Sequence, residues 1–394
     1  MTNMDFRNVN PLNIYSNYLS GNLLPLTQRD SQFSTAWKLY GTLMWLIQIA
    51  QLCTLTIGII STSREKAFQE GFITFVLIIE VFFIIGQIQS HKKLVDQLIQ
   101  KLNDILQIGD DLMENMVRTT LKPMNAPFKY YSMLGAICVT VWFSLRLLLV
   151  FEKDTFFYED FRMPAVFSKQ PFSARIFILG SILILIGNIH IFLKKCSLYI
   201  YMVHLVLLIT VQYRYTGKRL VLIFREADEQ CNNGQINSEA DQWANDAIKA
   251  LCRHHTTAVR LSRMLRETLA SSLTLIYLNS IFRFCFTAII FGSVLSTTLI
   301  EFCLVSIYSS GSVVEFYMLC SYIQQLQDAS KDFMDEAFHE KWYQFGPSVK
   351  RMFMLMILGS NLGCKLSTCD KFNLSLPSFL TILNQSYSIA LVLL

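Results

Sequence analysis

Apolar residues in this chain come in long blocks rather than short alternating runs. Seven blocks stand out: 37–60, 72–88, 130–151, one starting near Phe172, 271–291, 296–323 and 372–394. Crossing a bilayer takes about 20 mostly apolar residues, because the hydrocarbon core is roughly 30 Å thick and a helix rises about 1.5 Å per residue. Backbone in lipid must satisfy its own hydrogen bonds, so each block predicts a helix. Barrel strands would alternate over about ten residues, and these blocks do not. The pattern predicts an all-α polytopic membrane protein with seven spanning helices.

The fourth block admits two readings. Apolar residues run from Phe172 to about Val211, broken only by Lys194-Lys195. Two spans joined at the lysines would need a two-residue hairpin and a second span of about 17 residues, the short limit. One long helix leaving the bilayer at Lys194-Lys195 fits better. Beyond them Leu198, Tyr201, Met202, Leu205, Leu208 and Ile209 recur at helical spacing, with no Pro or Gly to turn the chain. That reading predicts a packed helical layer outside the membrane.

Other segments supply partners for the layer. Residues 226–241 read as a polar, Gly-containing loop. From Trp243 onward, Ala247, Ile248, Leu251, Thr257, Leu261 and Leu265 form a helical stripe leading into the fifth span. Gln324 to Glu340 prolongs the sixth span as a charged helix. Gly346-Pro347 breaks the chain, and Pro347 is placed to open a helix with Val349, Met352, Phe353 and Met356 on one side. The expected organisation is an amino-terminal segment (1–36), four spans (37–212), a connection with an anchor helix (213–270), two spans (271–323), further anchor helices and a linker (324–371), and a last helix (372–394).

Charge sets the expected orientation. With the amino terminus inside, the external loops hold only Arg64, Lys66, Lys153, Arg162 and Lys169, while the long internal connections are rich in Lys and Arg. This asymmetry predicts a cytoplasmic amino terminus and an extracellular carboxyl terminus. The first 36 residues are polar and lack the short apolar core of a signal sequence, so the first span is expected to direct insertion.

Composition agrees. The 394 residues are 53% hydrophobic and only 16% charged, against about 25% charged in an average soluble domain. Thirty Phe exceed what one soluble core would hold. The net charge of +5 points to no nucleic-acid partner. These figures exclude an ordinary soluble enzyme, a disordered chain and a disulfide-rich secreted module.

The chain shows no catalytic or phosphate-binding motif, and no cofactor is expected. His254-His255 are adjacent, hence about 100° apart on a helix, a poor metal pair, and read as two surface histidines. Of the ten cysteines (Cys53, Cys138, Cys196, Cys231, Cys252, Cys285, Cys303, Cys320, Cys364 and Cys369), most fall in spans, where Cys acts as a small apolar side chain. None falls in the two longer external loops, which argues against a rhodopsin-like receptor.

Ionisable residues inside apolar blocks are functional suspects: Glu80, Arg146, Arg175, His190, Arg283, Glu301 and Glu315. Arg175 and Glu301 sit near span ends and can snorkel. Glu80 and Arg283 are near mid-span and could pair with each other. In the last span Ser378, Thr381, Gln385 and Ser388 share one face, which either glues helices together or lines water. Its end, Ala390 to Leu394, is wholly apolar and could gate by dewetting.

The carboxyl-terminal third resembles the insect odorant receptors. The resemblance rests on Ala337-Phe-His-Glu-Lys-Trp-Tyr343, Lys350-Arg351 before an apolar helix, Leu374-Ser-Leu-Pro-Ser-Phe379 and Ser386-Tyr-Ser388. Arg162-Met-Pro164, the length and the seven spans fit as well. One departure is Ser367-Thr368-Cys369, where the family often has Thr-Ala-Gly. The end signature of the related gustatory receptors is absent. So is the large insertion before the fifth span that marks the family's shared coreceptor.

The resemblance implies a ligand-tuning subunit of an odorant-gated, non-selective cation channel in the plasma membrane of olfactory sensory neurons. It implies assembly with coreceptor subunits into a heterotetramer in membrane lipid, with no nucleic-acid partner. The pore would be lined by the last span, with Gln385 and Ser388 on its polar face. The gate would fall at Ala390, Leu393 and Leu394, with the coreceptor carrying Gln at the Leu393 position. The odorant pocket would lie in the outer half of the second, third, fourth and sixth spans. Its expected lining is Phe75 and Ile79, Val139, Trp142 and Phe143, Ile176, Leu179 and Leu183, and Val305, Tyr308 and Ser309. A mostly apolar lining of this kind suits a small hydrophobic molecule. The alternatives are a seven-span receptor signalling through a cytoplasmic partner, and a membrane transporter.

Overall fold

The computed structural model describes residues 4–26, 33–62, 71–161, 170–229, 238–294, 299–361, 366 and 374–393. Among these residues the chain is almost wholly helical, and the strand content is a single antiparallel pair, Thr155–Phe156 with Phe172–Ser173. The principal helices are α1 (Pro11–Ser20), α2 (Thr35–Ser61), α3 (Phe72–Ser90), α4 (Lys92–Ile108), α5 (Asp111–Ser144), α6 (Ala174–Glu229), α7 (Ser238–Val294), α8 (Leu299–Asp332), α9 (Pro347–Asn361) and α10 (Leu376–Leu393). Six of them are long and apolar enough to cross a membrane: α2, α3, α5 with its following 3-10 turns, and α6 to α8. The seventh expected span is α10, whose 18 residues are interrupted by Asn384-Gln385. The protein is an all-α, multi-pass membrane protein.

The amino-terminal segment is a folded element rather than a polar tail. Asn10 caps α1 by accepting from the Leu12 N–H, Pro11 opens the helix, and Gly21 closes it with a left-handed φ of 68°. Asn10, Asn13, Asn17 and Asn22 face inward, whereas Asn8 is exposed. Asn17 bonds both the N–H and the carbonyl of Leu24, and Asn22 donates to the Lys194 carbonyl on α6 at 2.9 Å. Asn17 and Asn22 thus serve backbone groups that the close packing of this segment on α6 would otherwise leave unpaired.

Helix α5 starts well before the apolar block expected at Tyr130. Asp110 caps it by accepting from the Met113 N–H, and Asp111 and Glu114 sit in its first turn. It runs through Pro123 and Pro127, each of which removes a ladder hydrogen bond, and becomes a 3-10 helix over Leu145–Phe151.

Helix α6 is one continuous helix of 56 residues, about 84 Å long at 1.5 Å per residue. The favoured reading of the fourth block, one helix without a hairpin at the lysines, therefore matches the structure. Lys194 and Lys195 are both buried inside the bundle. From Lys194 to Tyr213 the helix is buried on every side, so the stripe read from its spacing understates it.

The helices continue into a layer at one end of the bundle. Amphipathic α4 buries Val95, Leu98, Ile99, Leu102 and Leu106 and packs on α7, and α9 packs on α7 and α8. His255 is not a surface histidine. It is buried between Phe333, at 4.7 Å between ring centres, and Tyr213, at 6.0 Å. Burial pushes its pKa down to about 4. Gly217 sits against the Phe333 backbone carbonyl with no room for a side chain, which sets the close approach of α6 there. At the rim, Arg225 pairs with Glu340 and Lys341 with Asp228, both at 2.7 Å. The loop expected over 226–241 is invaded from both sides by α6 and α7. Most of the remainder, like most of the 361–371 linker with Cys364 and Cys369, lies outside the described residues.

Candidate ligand cavity and last helix

Helices α3, α5, α6, α7 and α8 enclose a cavity of about 210 Å³. That is below the roughly 300–1,000 Å³ typical of sites for drug-sized ligands, and suits a smaller molecule. Helix α5 supplies Tyr131, Leu134, Gly135, Cys138, Val139, Trp142 and Phe143, a three-and-four spacing that places them on one face. Helix α8 does the same with Leu304, Val305, Tyr308, Gly311, Ser312 and Glu315. Helix α3 adds Ile73, Thr74 and Leu77, α6 adds Asn188, Ile191, Phe192 and Lys195, and α7 adds Arg283, Thr287 and Ile290. A side chain at Gly135 would collide with the Phe192 ring, so glycine there lets that wall close.

The walls are apolar and one end is charged. Arg283 Nη2 donates to Glu315 Oε2 at 3.1 Å, and Lys195 Nζ lies 3.0 Å from Glu315 Oε1 and 3.7 Å from Glu80 Oε1. Tyr131 Oη donates to Glu315 at 2.9 Å. Tyr199 Oη and Asn279 Nδ2 donate to the two oxygens of Glu80 at 3.2 and 3.1 Å. All four charged side chains are buried, and two cations balance two carboxylates. Isolated charges at such positions would be prohibitive, whereas a neutral, hydrogen-bonded cluster is tolerable. Glu80 and Arg283 thus belong to one network but are not each other's partner. Lys194, the neighbour of Lys195, instead lies over the Trp45 ring at 4.0 Å.

The last helix, α10, has two unlike faces. Ile382, Ser386 and Ala390 are buried against the rest of the chain. Ser386 Oγ donates to the Ile281 carbonyl, and Cys285 Sγ to the Ser386 carbonyl, both at 3.4 Å. On the other side Thr381, Asn384, Gln385 and Ser388 are exposed together with Leu380, Tyr387, Ile389 and Leu391.

Residues 65–387 match the family model described as 7tm Odorant receptor. The chain belongs to the odorant receptor family. Among curated relatives, odorant receptors 67c and 67a of Drosophila melanogaster are each 24% identical, over 45% and 43% of this chain. The aligned part spans only 41% and 40% of those relatives' own lengths. The fold is that of the insect olfactory receptor OR5 from Machilis hrabei, at a TM-score of 0.79 and 12% identity, covering 96% of both chains. The OR5 structure in complex with eugenol gives the same score and identity, covering 98% of this chain and 97% of that one.

Of the residues named for an odorant pocket, Val139, Trp142, Phe143, Val305 and Tyr308 line this cavity. Phe75, Ile79, Ile176, Leu179, Leu183 and Ser309 do not. On α3 the cavity is lined instead by Ile73, Thr74 and Leu77, and Ile79 is exposed. On α6 the expected residues lie too near the helix start. Leu179 and Leu183 are exposed, and the cavity is reached two to three turns later, at Asn188 to Lys195. Ser309 turns its hydroxyl to the Val305 carbonyl of its own helix.

The residues missed are the polar end, above all Lys195 and Tyr131. Arg283 and Glu315 carried a signal as charges inside apolar blocks, but nothing in the linear pattern joined them to Lys195. On α10, Gln385 and Ser388 share the exposed face, whereas Ala390 is 2% exposed and turned into the receptor's own core. Leu393 closes the helix, and Leu394 lies outside the described residues.

Proposed function

We propose that the receptor is the ligand-tuning subunit of an odorant-gated, non-selective cation channel. It would work with coreceptor subunits in the plasma membrane of olfactory sensory neurons. The observation that carries the reading is the enclosed, mostly apolar cavity of a family member, two of whose lining helices, α7 and α8, also pack on α10. In the proposed orientation the amino terminus and the helical layer are cytoplasmic, and α10 ends outside. The exposed side of α10, with Thr381, Gln385 and Ser388, would face the pore, and Leu393 and Leu394 would form its outer constriction. Ala390 would support this helix from behind.

A ligand shifts a gate only through differential affinity for the open and closed arrangements. A physical route for that difference exists. Helix α8 lines the cavity through Ser312 and Glu315, and its next residues, Phe316 and Tyr317, pack on Phe379 of α10 at 6.0 and 5.5 Å. On α7, Arg283 faces the cavity while Ile281 and Cys285 hold Ser386 of α10. A change in cavity shape therefore reaches α10 through two helices.

The test is co-expression with a coreceptor subunit and recording of odorant-evoked current while G-protein signalling is blocked. Current that persists, and whose permeation or block changes in Leu393→Gln, is the expected result. Current abolished by the block would favour a receptor signalling through a cytoplasmic partner. Substrate-coupled flux without channel current would favour a transporter.

A further inference from the structure

The cavity's charged end leaves hydrogen-bonding capacity unused. Arg283 is 3% exposed and lines the cavity, yet its Nε–H finds no partner among the described residues. Tyr308 lines the same cavity one helix away, and its Oη is likewise buried and unpartnered. Both atoms are shielded from water. Buried donors are normally paired, and an unpaired one is a standing cost that a bound acceptor would relieve. Lys195 is held by Glu315 and Glu80, the second arm of Arg283 by Glu315, and Tyr131 by Glu315.

Charge narrows the ligand further. Lys195 and Arg283 are balanced by Glu80 and Glu315, so a ligand carboxylate would add an uncompensated buried charge. A ligand ammonium would add an uncompensated third cation beside Lys195 and Arg283, and it offers the Arg283 Nε–H no acceptor. A pure hydrocarbon fits the apolar walls but leaves Nε–H and Oη–H unpaired.

We propose that the ligand is a small neutral volatile with an apolar body and a hydrogen-bond-accepting oxygen, a carbonyl or ether, bound by Tyr308 Oη and Arg283 Nε. The proposal deepens the receptor reading and rests on it for the use of this cavity. Tyr308 then sets specificity, because a site with placed donors discriminates against the analogue that lacks the acceptor.

The experiment compares matched chains of four to ten carbons in four forms: methyl ketone, terminal alkene, carboxylic acid and primary amine. Two readouts are used: current from cells co-expressing the receptor and coreceptor, and the thermal stabilisation of the purified full-length receptor. In the best-fitting chain length the ketone is expected to act at a concentration about tenfold or more below the alkene, and also below the acid and amine. Tyr308→Phe, which keeps the ring, is expected to erase most of that ratio by weakening the ketone response much more than the alkene response.

An alkene equal to the ketone, an acid or amine more potent than both, or a ketone preference unchanged in Tyr308→Phe would overturn the inference and leave the receptor reading standing. Ketone-selective stabilisation without any current would support it and count against the channel. Neither stabilisation nor current from any compound would overturn both.

Discussion

The cavity bundle and the helical layer are continuous along α6, α7 and α8, yet they are held together by different means. Around the cavity the decisive contacts are buried charges. The side chains of Arg283 and Glu315 are 4% and 3% exposed and share their network with Lys195 and Glu80. In the layer the core is ordinary apolar packing around the buried stretch of α6, and ion pairs sit at the rim, with Arg225 62% and Lys341 55% exposed. A buried charge that loses its partner has no water to turn to, whereas a rim charge does. The same chemical contact should therefore matter greatly in one region and little in the other.

The largest effect tests the first half of that comparison. Glu315→Ala strands Arg283 and leaves Lys195 only the more distant Glu80. It should destabilise the receptor by about 3–5 kcal/mol, read as a lowered unfolding temperature of the purified protein. A loss below 1 kcal/mol would mean that water enters the cluster and that the two regions do not differ as described. Next comes packing in the layer. Gly217→Ala drives a methyl into the Phe333 carbonyl and should cost about 1–3 kcal/mol, since a backbone neighbour cannot swing away.

Acid should distinguish the layer by pH. His255 has a folded-state pKa near 4, below an unfolded value of about 6.5, so the unfolded chain binds the extra proton first. Its contribution is fully present above about pH 6.5 and is lost as pH falls toward 4, at up to about 1.4 kcal/mol per pH unit. His255→Phe should flatten the unfolding temperature across that window relative to the natural protein. The smallest effect closes the comparison. Arg225→Ala and Lys341→Ala at the rim should each change stability by about 0–1 kcal/mol, and less in high salt. A drop rivalling that of Glu315→Ala would erase the contrast.

What could be read along the chain depended on how local the cause was. The spans follow from runs of apolar residues, and the single α6 follows from a helical spacing that continues past Lys194-Lys195 to Val211 with no Pro or Gly in that stretch. Pro347 opening α9 is likewise a local effect. On α5 and α8, residues that the family resemblance implied, Val139 and Trp142, and Val305 and Tyr308, lie on the cavity wall. The lining residues were not legible on α3 or α6, where almost every side chain is apolar, so no asymmetry marks the inward face. The partners of Lys195 were not legible for a related reason. The acids that neutralise it lie 115 and 120 residues away in sequence, at Glu80 and Glu315.

Ala390 shows the same limit on α10. Its apolar side chain suits a gate or a core equally well, and only the neighbouring α7 and α8 decide that it faces inward.

By itself, the sequence determined that this chain crosses a membrane as helices, because lipid leaves the backbone no other means of pairing its own groups. It also carried the motifs that mark the odorant receptor family. The tertiary structure alone decided which charges meet, where the cavity closes and which face of the last helix is left free. Those depend on rotations and contacts between helices far apart in the chain, and a uniformly apolar helix carries no local record of how it is turned.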